Sequence, residues 1–243
     1  MCIRDSQAPA SQIAAALAKL GGRFAAGTRF IVSEPTTQHK APARQLFSER
    51  YRLGTLALWL TYFMGLLVIY LTMGWLPTLL RDGGLSIERA ATITGLFQIG
   101  GAVGAIVVGW IMDRRNPNRV IAIAYALGGL CIVSLGALSL ESSLLVVGVA
   151  AAGFCMSGAQ TGLNAFAPGY YPTEFRATGV SWMLGIGRFG AIFGSLIGGA
   201  VLSLGLGLPL LFTLLGLPAF AAALAILANG HARLRATPAV TAP

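Results

Sequence analysis

Six apolar segments, each of about 20 residues or more, make up most of this 243-residue chain. A helix needs about 20 apolar residues to cross the hydrocarbon core of a bilayer, so each segment is long enough to span a membrane. Membrane barrel strands are much shorter and alternate in polarity, so the segments predict helices. The segments occupy about 53–80, 90–112, 120–140, 144–167, 180–204 and 209–228. The sequence therefore predicts an all-α membrane protein with six transmembrane helices.

The composition supports a membrane location. Only 10% of the residues are charged and 56% are hydrophobic, whereas a soluble domain carries about 25% charged residues. The net charge is +9 and the pI is about 10.2, values that would suggest nucleic-acid binding in a soluble protein. Here the arginines lie in loops beside apolar segments, where the positive-inside rule accounts for them. We expect a lipid bilayer and no nucleic acid as a partner.

The cysteines and histidines give no sign of a metal site, a cofactor or an enzyme. Cys131 and Cys155 lie inside apolar segments, and His39 and His231 are far apart outside them. The chain has no Cys-x-x-Cys or Cys/His spacing that would predict a zinc site. We find no nucleophile–base pair in the sequence and expect no catalytic activity.

The arginine distribution predicts the orientation of the chain. We expect a polar region at 1–50, a helical bundle at 51–229 and a tail at 230–243, with both ends in the cytoplasm. Seven basic residues lie between Lys19 and Arg52, and alternate loops then differ in charge. The predicted inner loops contain Arg114, Arg115, Arg119 and Arg176, and the outer loops contain Arg81 and Arg89 opposed by Asp82, Glu88 and Glu141. The first residues, Met-Cys-Ile-Arg-Asp-Ser, resemble translated adapter sequence, so we do not expect Met1 to be a natural start.

Glycines spaced four residues apart predict where the helices pack closely. Such spacing puts small residues on one stripe, where helix backbones can touch. The pairs are Gly100 and Gly104, and Gly158 and Gly162, and a triple is formed by Gly190, Gly194 and Gly198. We expect ordinary helix packing along these stripes, with movement during a functional cycle as the alternative.

The short charged turn after the second segment carries a recognisable pattern. It reads Gly109-Trp-Ile-Met-Asp-Arg-Arg-Asn-Pro-Asn-Arg119. A basic inner loop accounts for the arginines, but the pattern G-x-x-x-D-R-R-x-x-x-R also resembles the signature loop of the major facilitator superfamily. That resemblance implies a cytoplasmic gate, and Gly109 would let two helices approach closely there. We expect Asp113, Arg114 and Arg119 to form a charge network with two residues of another inner turn, Glu174 and Arg176.

Further segments resemble the C-terminal half of the aromatic acid:proton symporters in that superfamily. They are Tyr170-Tyr-Pro-Thr-Glu-Phe-Arg-Ala-Thr-Gly179, Gly54-Thr-Leu-Ala-Leu-Trp, Trp75-Leu-Pro-Thr-Leu-Leu, Leu96-Phe-Gln-Ile-Gly-Gly, Gly158-Ala-Gln-Thr-Gly-Leu-Asn-Ala and Leu184-Gly-Ile-Gly-Arg-Phe-Gly. The resemblance implies the C-terminal half-bundle of a twelve-helix transporter in the inner (plasma) membrane. The partners that it implies are an aromatic carboxylate, protons and a missing N-terminal six-helix half. Residues 1–50 would then be the cytoplasmic loop between the halves.

Polar and aromatic residues inside the segments are candidates for binding substrate. Arg188 is the one ionisable residue well inside a segment, and such residues are costly in lipid unless they face protein or water. Lining a central cavity and snorkelling to the surface are the two interpretations of Arg188. Gln98, Gln160 and Asn164 can hydrogen-bond a substrate or another helix, and Tyr62 and Phe63 can stack on an aromatic ring or on neighbouring helices.

Two other functions are compatible with the same sequence. One is a facilitator for another organic anion or a sugar-like solute. The other is a six-span membrane protein that associates with itself to form a pore or scaffold. An upstream reading frame that encodes six more spans would favour the half-transporter over the self-associating protein.

Overall fold

The computed structural model describes residues 43–139, 142–203 and 208–236, with side chains in 43–139, 142–200 and 209–230. After a short 3-10 helix at Ala43–Phe47, the chain forms six long helices. They are α1 (Arg52–Asp82), α2 (Ile87–Met112), α3 (Pro117–Leu135), α4 (Ser143–Tyr170), α5 (Arg176–Ser203) and α6 (Leu208–Ala236). All six are long and apolar enough to cross a membrane, which confirms the predicted fold class. Nearly all of the predicted polar region at 1–50, and the end of the tail, lie outside the described residues.

The turns between helices are closed by residues suited to them. Ser86, Asn116 and Ser142 each precede a helix, and each side-chain oxygen accepts a hydrogen bond from a backbone N–H of the first turn. Pro117 follows Asn116 at the first helical position, where its missing N–H costs nothing. Gly84 has a φ of +107°, a conformation that glycine adopts readily. These signals place the helix starts within about four residues of the predicted ones.

Two helix ends differ from the prediction. α3 ends at Leu135 and not near 140, and the next residue, Gly136, lies against Pro209 of α6. α6 continues to Ala236, eight residues past the predicted end at 228. Its added turns contain alanine, leucine and arginine, which favour a helix even outside the membrane.

The helices form two similar triplets. α1 packs mainly against α5 and α6, and α4 packs in the same way against α2 and α3. α3 and α6 pack against each other and join the triplets, whereas α1 and α4 meet only lightly. The result is a six-helix half-bundle.

Glycine stripes form the closest helix contacts, as predicted. A Cβ at Gly100 or Gly104 of α2 would collide with the carbonyl oxygen of Ala150 or Phe154 in α4. The same holds for Gly190 and Gly194 of α5, which face carbonyl oxygens of α1. Each stripe lets two backbones touch, which is the packing that stabilises helices in lipid. The α1–α5 and α2–α4 pairs are therefore the tightest seams of the bundle.

Candidate functional site

Arg188 lies in the middle of α5. The helix runs from Arg176 to Ser203, so Arg188 is about 18 Å along the helix from its start and about 22 Å from its end at 1.5 Å a residue. The predicted segment at 180–204 puts Arg188 only about 12 Å from its start, and the depth is greater in the structure because the helix begins at Arg176. The Arg188 side chain is exposed. A charge at this depth is more costly to leave in lipid than one near the surface, which weakens the snorkelling interpretation.

A cavity of about 400 Å³ adjoins Arg188. Tyr70 of α1 lines its opposite wall, and Ala191 and Ser195 follow Arg188 along α5. Ser195 is fixed in place because its carbonyl oxygen accepts a hydrogen bond from Trp75 Nε1 at 3.0 Å. The cavity therefore combines a guanidinium and a phenol in mostly apolar surroundings, a composition typical of small-molecule sites.

The predicted aromatic residues divide between two places. Tyr62 is buried and its ring lies against Gly187 in the α1–α5 seam. Phe63 instead packs against Phe193, with ring centroids 6.2 Å apart. Phe193 and Arg188 point about 140° apart around α5. The structure therefore does not bring Phe63 to the cavity that Arg188 lines.

Gln160 makes the alternative contact that the sequence allowed, a hydrogen bond between helices. It is buried, and its Oε1 accepts a hydrogen bond from the Tyr125 hydroxyl at 2.6 Å. The pair lies against Gly65 of α1, where a Cβ would collide with both side chains. Asn164, one turn later, is exposed, so the two residues share a helix face but not an environment.

Gln98 and Arg188 occupy equivalent positions in the two triplets. Each lies two residues before a glycine, Gly100 or Gly190, that meets a backbone carbonyl of the partner helix, and a second such glycine follows four residues later. Both side chains are exposed. They therefore project from corresponding sides of the α2–α4 and α1–α5 pairs, one as an amide and the other as a cation.

The residues of the predicted gate are on the surface at one end of the bundle. Asp113 caps the C-terminus of α2, and the guanidinium of Arg114 lies 3.8 Å above the ring of Trp110. Arg176 Nε donates a hydrogen bond to the carbonyl oxygen of Tyr171 at 3.3 Å. Among the described residues the one ion pair is Arg81–Asp82, in the last turn of α1. The close helix approach expected at Gly109 is absent from the described part, because a Cβ there would meet nothing within 4 Å.

An aromatic cluster holds this end together, and the sequence prediction missed it. Tyr51, Tyr170, Tyr171 and Phe175 contact one another edge to face, with ring centroids 5.0–6.2 Å apart. Burial raises the pKa of the Tyr171 phenol above its ordinary value. Nearby, Asn229 Nδ2 of α6 donates to the Gly54 carbonyl oxygen at 2.9 Å. The clustered tyrosines of the Tyr-Tyr-Pro-Thr turn were the signal available in the sequence.

Comparison with known proteins decides the family. The sequence profile of the Major Facilitator Superfamily matches residues 14–241. The chain belongs to the major facilitator superfamily. The contact pattern agrees with this assignment, because exchanging α1–α2–α3 with α4–α5–α6 maps one triplet onto the other, as expected if the half contains two three-helix repeats. This major facilitator is a multi-pass membrane protein.

Several curated relatives are similar to this major facilitator chain. It is 99% identical over 237 residues to the gallate transporter of Pseudomonas putida, a match that covers 98% of this chain and 53% of that protein. It is 48% identical over 200 residues to the 4-hydroxybenzoate transporter PcaK of Pseudomonas aeruginosa, covering 82% and 45%. It is 37% identical over 170 residues to the 3-(3-hydroxy-phenyl)propionate transporter of Escherichia coli, covering 70% and 42%. The chain thus spans about half the length of these relatives.

Proposed function

We propose that this chain is the C-terminal half of a secondary transporter that moves an aromatic carboxylate, such as a benzoate or hydroxybenzoate, into the cell together with protons. The observation that carries the proposal is Arg188, a cation at the middle of a membrane-spanning helix beside an open cavity. The relatives named for gallate and 4-hydroxybenzoate transport support the choice of substrate class. The complete site would form at the midplane, between this half and a second six-helix half.

The proposed site recognises a carboxylate by charge and shape. The Arg188 guanidinium stays protonated and offers parallel N–H donors that fit both oxygens of a carboxylate. Tyr70 lines the same cavity, and its hydroxyl is able to hydrogen-bond a ring substituent. Gln98 and Asn164, whose side chains are exposed, are proposed as further substrate contacts. Tyr62, Phe63 and Gln160 pack against neighbouring helices and are assigned structural roles, although all three were candidates from the sequence.

Proton coupling is assigned to the other half. All eight Asp and Glu residues and both histidines lie outside the six apolar segments of the sequence. A proton carrier needs a titratable group with access to the central cavity. We therefore place the coupling carboxylates in the N-terminal six helices.

The proposed orientation puts both ends and the gate in the cytoplasm, with the protein in the inner membrane. Asp113 has no ion-pair partner among the described residues, so we propose that it meets a partner on the other half when the cytoplasmic side closes. Asp113→Asn should then slow uptake severalfold while substrate affinity stays within about twofold. Initial uptake rates and calorimetric affinities of the full-length protein check this. If the Asp113→Asn variant transports substrate as fast as the parent, Asp113 has no role in the gate.

Uptake by cells that express the full-length gene tests the function. Labelled gallate, 4-hydroxybenzoate and benzoate should accumulate in a saturable way, and a protonophore should abolish the accumulation. Cells that carry the empty vector are the control for endogenous transport. Uptake that continues unchanged in the presence of the protonophore would contradict symport with protons. Competition by sugars or non-aromatic anions, and not by hydroxybenzoates, would favour the alternative solute classes.

Self-association is the second possible function, and it makes a different prediction. A six-span protein that forms its own pore would assemble from this chain alone and conduct without a second half. We consider it less well supported, because the relatives are all named as transporters and are about twice as long. Crosslinking of the 243-residue chain in vesicles distinguishes a defined oligomer from a monomer.

A further inference from the structure

A groove on the outer surface between α3 and α6 is separate from the cavity beside Arg188. Its volume is about 530 Å³. The α3 wall consists of Ala122, Ile123 and Ala126, and the α6 wall consists of Phe220, Ala223, Leu224 and Leu227. Arg119 is the one charged residue that lines it, at the end where α3 begins. The groove therefore combines apolar walls with a single positive charge at one end.

The sequence accounts for the groove. α3 and α6 run in opposite directions and touch at Gly129 and Gly216, where a Cβ on Gly216 would be 3.0 Å from the Gly129 carbonyl oxygen. From that crossing towards the start of α3, alanines occupy the positions between the helices. Small side chains there leave a space that the larger Phe220 and Leu224 border. The groove thus follows from the spacing of small residues.

The length and position of the groove match the head group of a membrane lipid and the adjoining part of its acyl chains. From Arg119 to Ala126 the groove extends about 10 Å at 1.5 Å a residue, about a third of the 30 Å hydrocarbon core. Arg119 is exposed in the first turn of α3, just outside the apolar segment. Its guanidinium makes no ion pair with any described residue. A basic residue at the membrane surface attracts anionic lipid head groups.

We propose that this groove binds an anionic phospholipid, with acyl chains against the apolar walls and the phosphate at Arg119. Charge complementarity selects the occupant: the alkyl walls suit any lipid, but the unpaired guanidinium favours a head group with net negative charge. The site is independent of the transported substrate, so its test does not depend on the function proposed above.

Native mass spectrometry of the full-length transporter, released from bilayers of phosphatidylglycerol and phosphatidylcholine, tests the proposal. The parent should retain phosphatidylglycerol in preference to phosphatidylcholine. Arg119→Gln should weaken phosphatidylglycerol binding about fivefold, the effect expected for one basic residue near the membrane surface. Ala126→Leu should also reduce binding, because it fills the groove and keeps the charge. Arg115→Gln is the matched control, since Arg115 is exposed in the same turn but does not line the groove.

The comparison of variants separates this site from general attraction of lipid to a basic surface. Equal losses for Arg119→Gln and Arg115→Gln would overturn the proposal, as would equal retention of the two lipids by the parent. Undiminished binding in a folded Ala126→Leu protein would also overturn it. If Ala126→Leu does not fold, Ile123→Ser removes part of the exposed apolar wall. A loss of bound lipid in that variant supports the site, and unchanged binding contradicts it.

Discussion

At the residue scale, Arg188 is the side chain that should contribute most to the proposed binding of substrate. Arg188→Ala in the full-length protein should weaken binding of a hydroxybenzoate roughly 10- to 100-fold, because a hydrogen bond to a charged group contributes about 1.5–3 kcal/mol. Arg188→Lys keeps the charge but loses the planar fork, so its affinity should lie between those of the parent and the alanine variant. Titration calorimetry measures both.

The control for this experiment is Arg81→Ala. Arg81 is exposed, pairs with Asp82 in the last turn of α1 and does not line the cavity, so its loss should leave affinity unchanged. If Arg188→Ala binds aromatic carboxylates as tightly as the Arg81→Ala protein, Arg188 reaches the membrane surface and does not hold substrate.

The Tyr125–Gln160 hydrogen bond should contribute to the stability of the bundle and not to its affinity for substrate. Tyr125→Phe leaves the buried Gln160 oxygen without its donor, and such a loss in a membrane bundle costs about 0.6–1.7 kcal/mol. We expect thermal unfolding at lower temperature with substrate affinity unchanged. Tyr70→Phe is the reciprocal control: Tyr70 is exposed beside the cavity, so this variant should unfold like the parent and bind substrate more weakly.

The sequence could identify the chemistry of single residues but not always their neighbours. Arg188 was predictable because one charge in a long apolar segment stands out without any three-dimensional information. The sequence could not assign different roles to Gln160 and Asn164. A spacing of four residues puts both on one helix face and does not show which helix covers either residue. Only the packing of Tyr125 and Gly65 against Gln160 distinguishes them.

At the element scale, the glycine seams determine how close the helices lie. Gly190→Ala puts a methyl group into the Phe63 carbonyl oxygen, so α5 must shift away from α1. Overpacking of this kind costs about 1–3 kcal/mol. Gly185→Ala on the same helix is the matched control, because its Cβ would meet nothing within 4 Å. Calorimetric unfolding in nanodiscs should show a lower transition temperature for Gly190→Ala only, and equal transitions would refute the importance of the seam.

Helix positions were largely predictable from the sequence, and helix ends less so. The apolar lengths predicted six spans because lipid demands about 20 apolar residues per helix. The end of α3 coincides with the contact of Gly136 with α6, which no local pattern contains. The continuation of α6 to Ala236 was missed because the membrane boundary was taken as the end of the helix.

At the scale of the whole molecule, the orientation is the main prediction. Asn116 and Ser142 cap α3 and α4, so single cysteines are better introduced beside them, at Arg115 and Ser139, in a protein whose own cysteines are replaced. Both positions are exposed. An impermeant maleimide should label Ser139→Cys in intact cells and Arg115→Cys only after permeabilisation. The reverse pattern would invert the topology and place the proposed gate outside.

The equivalence of Gln98 and Arg188 has a consequence for how such proteins diverge. The same glycine framework supports both positions, so a new side chain at either one leaves the backbone seams intact. A substitution at either position should change the local chemistry and leave the fold intact. The glycine framework and the chemistry of the side chains at these two positions can thus vary independently of each other.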